Sequence, residues 1–265
     1  MQVPSFNTIE ISVAGNRGTL ELDHPDSLNP LGPEALAELT RAADFLAACS
    51  ELKVVVVSGR GRAFSAGADV TAFAGGGGDS PTDPRAMADL GRLMADAVER
   101  IPAVTVARIQ GHCVGGGLVL AAACDLRVAA DDVRFAIPEI DLGIPLAWGG
   151  IPRLVREIGP ALTKELVMTC RPFTAEEARA AGFINRVVEP SRLEEETEAL
   201  AAELAEKPSL ALLSTKRHVN SVTEQAWGTA RSWADADGLL AGLRDPEGRE
   251  SALRYLEGLA ARRQG

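Results

Sequence analysis

Basic residues are scarce in this chain of 265 residues. Its 27 lysines and arginines stand against 37 aspartates and glutamates, which gives a net charge of −10. A phosphate backbone is normally bound by a basic stripe, so this balance argues against a nucleic-acid partner. The same charge works against any anionic ligand unless local bases and backbone N–H groups outweigh the distant field.

Cysteine is also sparse. The four cysteines are widely separated and form no Cys-x-x-Cys pair: Cys49, Cys113, Cys124 and Cys170. Disulfide frameworks and structural zinc sites need numerous or closely spaced cysteines. We therefore expect a reduced, cytoplasmic protein with no bound metal.

Long apolar runs are missing as well. No uncharged stretch reaches the roughly 18 residues that a membrane-spanning helix needs, and residues 1–7 lack the pattern of a secretion signal. Apolar residues make up 46% of the chain and charged residues 24%, which is typical of a globular protein. The length suits one large domain, or one domain with an appendage.

The apolar pattern that is present predicts α/β structure. Residues 8–22 alternate apolar and polar side chains around a short turn, which predicts a hairpin. A helix from Pro33 and the β-branched run 54–57 follow, and a helix over 85–100 precedes a strand over 104–109. Helices that alternate with buried strands indicate a parallel sheet. Between them, the glycine-rich segment 74–84 predicts a mobile loop.

The second half of the chain has a different pattern. Further strands are predicted over 126–128 and 133–135, and the alternation ends near residue 140. From residue 151 the pattern is almost wholly helical, with amphipathic segments over 192–207, 210–221, 226–243 and 246–262. We expect a core over residues 1–190 and a helical region over 191–265 that serves subunit packing.

Three glycine-bearing turns follow predicted strands, at 59–69, 111–117 and 143–150, where α/β proteins place their ligands. The first is not a dinucleotide fingerprint, because Phe64 stands where the third glycine belongs. None ends in Gly-Lys-Ser/Thr, and no Gly-x-Ser-x-Gly marks a hydrolase nucleophile. Such turns can instead direct backbone N–H groups at developing negative charge. Two that face each other would form an oxyanion hole.

The residues in these turns resemble a known family. RAFSAGADV at 62–70, GGG at 115–117 and PEIDLG at 138–143 are similar to three ordered motifs of the crotonase (enoyl-CoA hydratase and isomerase) family. The resemblance continues to residue 188 and covers roughly residues 8 to 260. It implies an α/β spiral of β-β-α units with a C-terminal helical region, assembled as trimers or hexamers. It also implies an acyl-CoA thioester substrate, with coenzyme A present only as part of that substrate and no permanently bound cofactor.

The resemblance also assigns roles to residues. The N–H groups of Ala68 and Gly116 would hold the thioester oxygen, and Glu139 would be the acid and base. Four residues of the stretch 66–71 would contact coenzyme A: Ala66, Asp69, Val70 and Thr71. The family's hydratases hold water with a second glutamate, and Val119 stands at that position here.

Val119 can neither accept a proton nor orient water, so the two-carboxylate hydration mechanism lacks one part. Family isomerases that move a double bond from position 3 to position 2 work with one glutamate, which favours isomerisation. Hydration or another enolate reaction stays open, with Asp141 as a second acid if its segment is extended. A non-catalytic acyl-CoA carrier is the third possibility. Trp148 replaces a usually small residue and either shapes the acyl pocket or packs in the core.

Overall fold

The computed structural model describes residues 3–69 and 83–264. The chain begins with the predicted hairpin, in which β1 (Ile9–Ala14) pairs antiparallel with β2 (Arg17–Leu22). Its apolar side chains face the core and its polar side chains face outward, as the alternation predicted.

The main sheet has six strands in the order β1-β2-β4-β6-β8-β11. The four strands that follow the hairpin in this order are β4 (Val54–Gly59), β6 (Val104–Ile109), β8 (Leu126–Ala130) and β11 (Arg186–Val188). Every pairing after the hairpin is parallel. Strand β4 is buried along its whole length, which explains its continuous β-branched run. The predicted parallel α/β architecture is confirmed.

Within the described residues, two smaller sheets carry the first two of the three glycine turns. In one, β3 (Pro30–Leu31) pairs parallel with β5 (Gly67–Ala68). The other has the order β10-β9-β7, formed by β7 (His112–Val114), β9 (Arg134–Ala136) and β10 (Phe173–Thr174). Strands β10 and β11 lie in the part from residue 151 that was predicted to be almost wholly helical, and neither strand was predicted. Strands of two and three residues are too short to show a period of two.

The helices of the core connect these strands. They are α1 (Pro33–Ala48), α2 (Pro84–Glu99), α3 (Gly116–Ala122), α4 (Gly150–Thr169) and α5 (Ala175–Ala180). Asp83 caps α2 by accepting a hydrogen bond from the Arg85 amide. Helix α4 is broken at Gly159, whose φ is 74°. Most of the glycine-rich loop predicted over 74–84, namely residues 74–82, lies outside the described residues.

Four helices end the chain: α6 (Leu193–Glu206), α7 (Ser209–Trp227), α8 (Asp235–Arg244) and α9 (Pro246–Gln264). Helix α6 packs on β4, β6 and β8, α8 packs on α2, and α9 packs on α8. No helix within 3–69 or 83–264 has the length and apolar composition to cross a membrane.

The prediction of a single helix over 226–243 is wrong. Gly228 leaves the helical conformation, with φ −64° and ψ 150°, and a 3-10 turn over Thr229–Ala234 follows before α8 begins. The Asp235 carboxylate accepts a hydrogen bond of 2.8 Å from the Gly149 amide. This long-range contact fixes where α8 begins, and a local periodicity cannot reveal it.

Candidate active site

The site starts from two backbone turns that touch. Gly67, at the start of β5, has φ 87° and lies against the turn that leads from β7 into α3. A Cβ at Gly67 would be 2.5 Å from the Val114 carbonyl oxygen and 3.3 Å from the Gly116 nitrogen. Only glycine allows this approach, because a side chain is excluded by both the space and the positive φ. The first two predicted glycine turns therefore do face each other.

Two buried polar side chains hold the β5 turn in place. The Ser65 hydroxyl donates to the Asn29 carbonyl oxygen at 2.7 Å and accepts from the Gly67 amide at 3.1 Å. The Asn29 side-chain amide donates in turn to the carbonyls of Ala63 at 2.9 Å and Phe64 at 3.3 Å. Neither Ser65 nor Asn29 was predicted from the sequence to have a role in the site. A serine two residues before a glycine is a turn signal that could have drawn attention to Ser65.

The two amides predicted to hold the substrate oxygen lie on these turns. Asp69, not Ala68, donates to the Leu31 carbonyl of β3, at 3.3 Å, so the Ala68 N–H points away from β3. Gly116 is the first residue of α3, and its N–H has no carbonyl partner within the helix. Ala68 and Gly116 line the same cavity.

This cavity is apolar and has a volume of about 110 Å³. One water needs only about 10–15 Å³ measured in this way, so the space can hold a short chain of carbon atoms. Its walls come from the two turns, the loop 139–148 and helices α3, α8 and α9. Besides Ala68 and Gly116, the lining residues are Val119, Glu139, Leu142, Ile144, Pro145, Leu146, Ala147, Trp148, Leu239, Leu243, Ala252 and Leu256.

Glu139 contributes the one charged side chain among these described lining residues. It is 8% exposed, and its Oε2 has no hydrogen-bond partner among the described residues. Its Oε1 lies beside Gly115, where a Cβ would be only 2.5 Å away. Burial raises the pKa of Glu139 to about 7, and a hydrogen bond from its own backbone amide offsets only part of that effect. Such a carboxyl can accept and return a proton near neutral pH.

Trp148 lines the cavity, but Asp141 does not. Residues 139–142 form turns, so the extended conformation on which a role for Asp141 as a second acid depended is not adopted in this described segment. Asp141 is exposed, and its carbonyl accepts a hydrogen bond from the Ser251 hydroxyl at 2.9 Å. The Trp148 side chain is 6% exposed and packs against Gly116.

The predicted coenzyme A contacts are only partly described. Ala66 and Asp69 are half-buried on either side of β5, and both of their amides donate to backbone carbonyls of the segment 28–31. Val70 and Thr71 lie outside the described residues. The role of all four in binding stays a prediction.

One wall of the cavity consists of residues of helices α8 and α9 that carry no functional motif in the sequence. Leu239 and Leu243 on α8, with Ala252 and Leu256 on α9, line it. Three glycines bring these helices against the loop that carries Glu139. A Cβ at Gly143 would clash with the backbone of Gly248, and a Cβ at Gly242 would be 2.9 Å from the Gly143 carbonyl oxygen.

Known proteins resemble this chain over most of its length. The family model described as "Enoyl-CoA hydratase/isomerase" matches residues 15–263. A crotonyl-CoA hydratase of Syntrophomonas wolfei is 31% identical over 255 residues, which are 96% of this chain and 96% of that protein. A putative enoyl-CoA hydratase of Thermus thermophilus is 37% identical over 208 residues, covering 76% of this chain and 79% of that protein.

Solved structures agree with these relatives. An enoyl-CoA hydratase/isomerase of Mycobacterium paratuberculosis has a TM-score of 0.85 at 28% identity and covers 95% of this chain and 100% of its own. An enoyl-CoA hydratase of Geobacillus kaustophilus has a TM-score of 0.76 at 33% identity, with 98% of this chain and 96% of that one covered. The chain therefore belongs to the enoyl-CoA hydratase/isomerase family, has its crotonase fold, and is an acyl-CoA enzyme of that family.

Proposed function

We propose that this protein moves the double bond of a 3-enoyl-CoA thioester to position 2. The observation that carries this proposal is that the described lining of an apolar cavity holds a single carboxylate, Glu139, and has Val119 where a second carboxylate would be needed for hydration. Among the described lining residues, Glu139 is the only charged side chain, and Val119, which the family resemblance places at the second glutamate's position, lines the same cavity. One carboxylate is enough to move a proton, whereas adding water across a double bond calls for further groups that hold the water.

The first half of the reaction uses the two turns. The Glu139 carboxylate removes a proton from C2, and the electron pair of that C–H bond is delocalised onto the thioester oxygen. The N–H groups of Ala68 and Gly116 donate to this oxygen and stabilise the dienolate. Removing a single donor of this kind typically costs about 2.7 to 4 kcal/mol.

The second half returns the proton. The Glu139 carboxyl gives it to C4, the double bond moves between C2 and C3, and the carboxylate is restored without a water molecule. A pKa of about 7 suits a group that must act as base and then as acid near neutral pH. General acid–base catalysis of this kind contributes about 100-fold to 10,000-fold.

Hydration of a 2-enoyl-CoA is the second candidate. The names of the relatives favour it, since those of Syntrophomonas wolfei and Thermus thermophilus are called hydratases. The water would have to be held by Glu139 and backbone groups alone. Val119 is 1% exposed and presents only methyl groups to the cavity, which weighs against this candidate.

Two substitutions separate the candidates. Glu139→Gln keeps the shape of the side chain and removes the base, so we expect double-bond migration to fall by about 100-fold to 10,000-fold. Val119→Glu restores a second carboxylate, and we expect it to gain hydration of a 2-enoyl-CoA. Near-complete isomerase turnover by Glu139→Gln would refute the proton-transfer role. Tight acyl-CoA binding without turnover of any enoyl ester would indicate a carrier.

The same proposal extends to assembly and compartment. Helix α7 has no buried residue along its described length, and Leu210, Val219 and Val222 are 79%, 55% and 57% exposed. An apolar helix surface of this kind supports a homotrimer or hexamer in which the helical region 191–265 packs between subunits.

The four cysteines, all within the described residues, are free thiols, which suits the cytoplasm. For the proposed homotrimer or hexamer, light scattering that gives the mass of a monomer at micromolar protein concentration would be the contradicting result.

A further inference from the structure

The indole of Trp148 packs in a space that two glycines leave open. The residue has φ 60°, a conformation that costs a bulky side chain energy, and yet it is 6% exposed. Its ring lies between Gly91 of α2 and Gly116, and a Cβ at either glycine would clash with ring atoms. Two glycines and a strained backbone are thus arranged around one side chain.

The position of the ring relative to the reacting groups matters. Gly116 supplies one of the amides proposed to hold the thioester oxygen, and Trp148, Val119 and Glu139 line the same cavity. A bound water needs about two to four polar partners. The ring and the Val119 methyl groups cover the cavity wall beside Gly116 with carbon. Once the thioester oxygen accepts from the Ala68 and Gly116 N–H groups, Glu139 is the one charged side chain left on the described lining, so a water there would lack such partners.

Arg153 holds the backbone of Trp148 in this conformation. It is fully buried, and its Nη1 donates to the carbonyl oxygens of Trp148 and Gly149, each at 3.2 Å. Its Nη2 donates to Asp96 at 2.8 Å and Glu99 at 2.7 Å, both on α2. The guanidinium therefore ties the strained turn to the helix that carries Gly91.

Arg153 is itself held by charge. Burial alone would raise the pKa of Glu99, but the Arg153 and Arg156 guanidiniums outweigh burial and lower it. Glu99 therefore stays ionised as a partner of Arg153. A buried pair of this kind is costly to break, because the remaining charge would be left without compensation. Removing either partner of this pair would therefore destabilise the Trp148 turn.

We propose that Trp148 is the wall that keeps water away from the reacting carbons, and that Arg153 is the residue that positions it. This inference rests on the proposed isomerase function. With the wall in place, the proton that Glu139 takes from C2 stays on the carboxyl until it reaches C4. Without the wall, that proton exchanges with solvent. Water can then also add to a 2-enoyl-CoA, its oxygen bonding to C3, one of its protons passing to Glu139, and C2 receiving a proton from Glu139.

The experiment measures how much solvent deuterium the reaction incorporates into its product. Wild-type protein and variants turn over a 3-enoyl-CoA in D2O, and mass spectrometry measures deuterium at C4 of the product at low conversion. The wild type is expected to transfer mostly the substrate's own hydrogen. Trp148→Ala is expected to raise the deuterium content at least threefold and to gain hydration of a 2-enoyl-CoA, with Trp148→Phe in between.

Two further variants keep Trp148 but change the contacts that position its ring. Gly91→Ala places a methyl group where the ring lies, and Arg153→Lys keeps the charge but loses the paired contacts to the turn. Both are expected to raise deuterium incorporation, a readout that a general loss of stability would not move. Trp233→Ala, which removes a 65% exposed tryptophan away from the cavity, is the control and should match the wild type.

The outcomes are distinct. Equal deuterium content in the wild type and Trp148→Ala, or ready hydration of a 2-enoyl-CoA by the wild type, would overturn the role of Trp148. Absence of any conjugated product from the wild type would overturn the proposed function itself. In that case, hydration by Trp148→Ala but not by the wild type would still support the wall, and no hydration by either would refute it.

Discussion

Replacing Glu139 with glutamine should make the folded protein less sensitive to rising pH. The carboxyl ionises near pH 7 in the folded chain, whereas its ordinary pKa is 4.5. Between these values the unfolded chain has already lost its proton while the folded chain still holds it. The unfolded state therefore binds fewer protons, and the free energy of unfolding falls as the pH rises through this window.

The size of the effect follows from the two pKa values. Each pH unit between them costs about 1.4 kcal/mol, so the whole window from pH 4.5 to pH 7 amounts to about 3.4 kcal/mol. Above pH 7 both states are ionised and the loss stays constant. Glu139→Gln carries no such loss. Its stability relative to the wild type should improve by about 2 to 3 kcal/mol between pH 5 and pH 8.

Guanidinium unfolding of both proteins at several pH values tests this expectation. The burial of the glutamine amide costs the same at every pH and cancels from the comparison. Protein concentration must be equal throughout, because association also shifts apparent stability. Glu206→Gln, at an exposed position of α6, is the matched control. A stability difference between Glu139→Gln and the wild type that does not change with pH would refute the buried, proton-holding carboxyl.

Three further predictions concern the same site. The kcat/KM for double-bond migration should fall about tenfold per unit below pH 7, where Glu139 is protonated; a flat profile from pH 5 to 8 would contradict this. Gly115→Ala places a Cβ 2.5 Å from Glu139 Oε1 and should lower kcat, whereas Gly258→Ala, with open space around it, should not. Gly143→Ala and Gly159→Ala both strain a positive φ, but only the first clashes with α9. It alone should raise the KM for acyl-CoA, and equal KM values would refute the role of α9.

The fold was largely predictable because strands β1, β2, β4 and β6 have six residues each and the motifs are ordered along the chain. The valine run of β4 and the alternation in β1 and β2 are local patterns that survive in the folded protein. Strands β10 and β11 could not be predicted in this way. They are held by neighbours distant in sequence, as where Phe173 stacks on Phe135 with ring centroids 5.2 Å apart.

The candidate site was predictable only where side-chain or glycine motifs mark it. Glu139 and the glycine turns stand out in the sequence, and the structure brings Ala68, Gly116 and Glu139 to one cavity. Leu239 and Leu256 have the same spacing as any core residue of an amphipathic helix. Their place on the cavity depends on a backbone contact between Gly143 and Gly248 that no local pattern shows. Whether Asp141 shares a face with Glu139 depends on the backbone conformation of 139–142, and the turn there does not follow from the residue pattern.

The most direct test of the central claim is product analysis of the wild-type enzyme. Purified protein is incubated separately with a 3-enoyl-CoA and a 2-enoyl-CoA, while conjugated thioester absorbance is followed and the products are weighed by mass spectrometry. We expect the 3-enoyl-CoA to give a conjugated product of unchanged mass and the 2-enoyl-CoA to gain little water. Rapid addition of water to the 2-enoyl-CoA without migration of the 3-enoyl double bond would contradict the account and identify a hydratase.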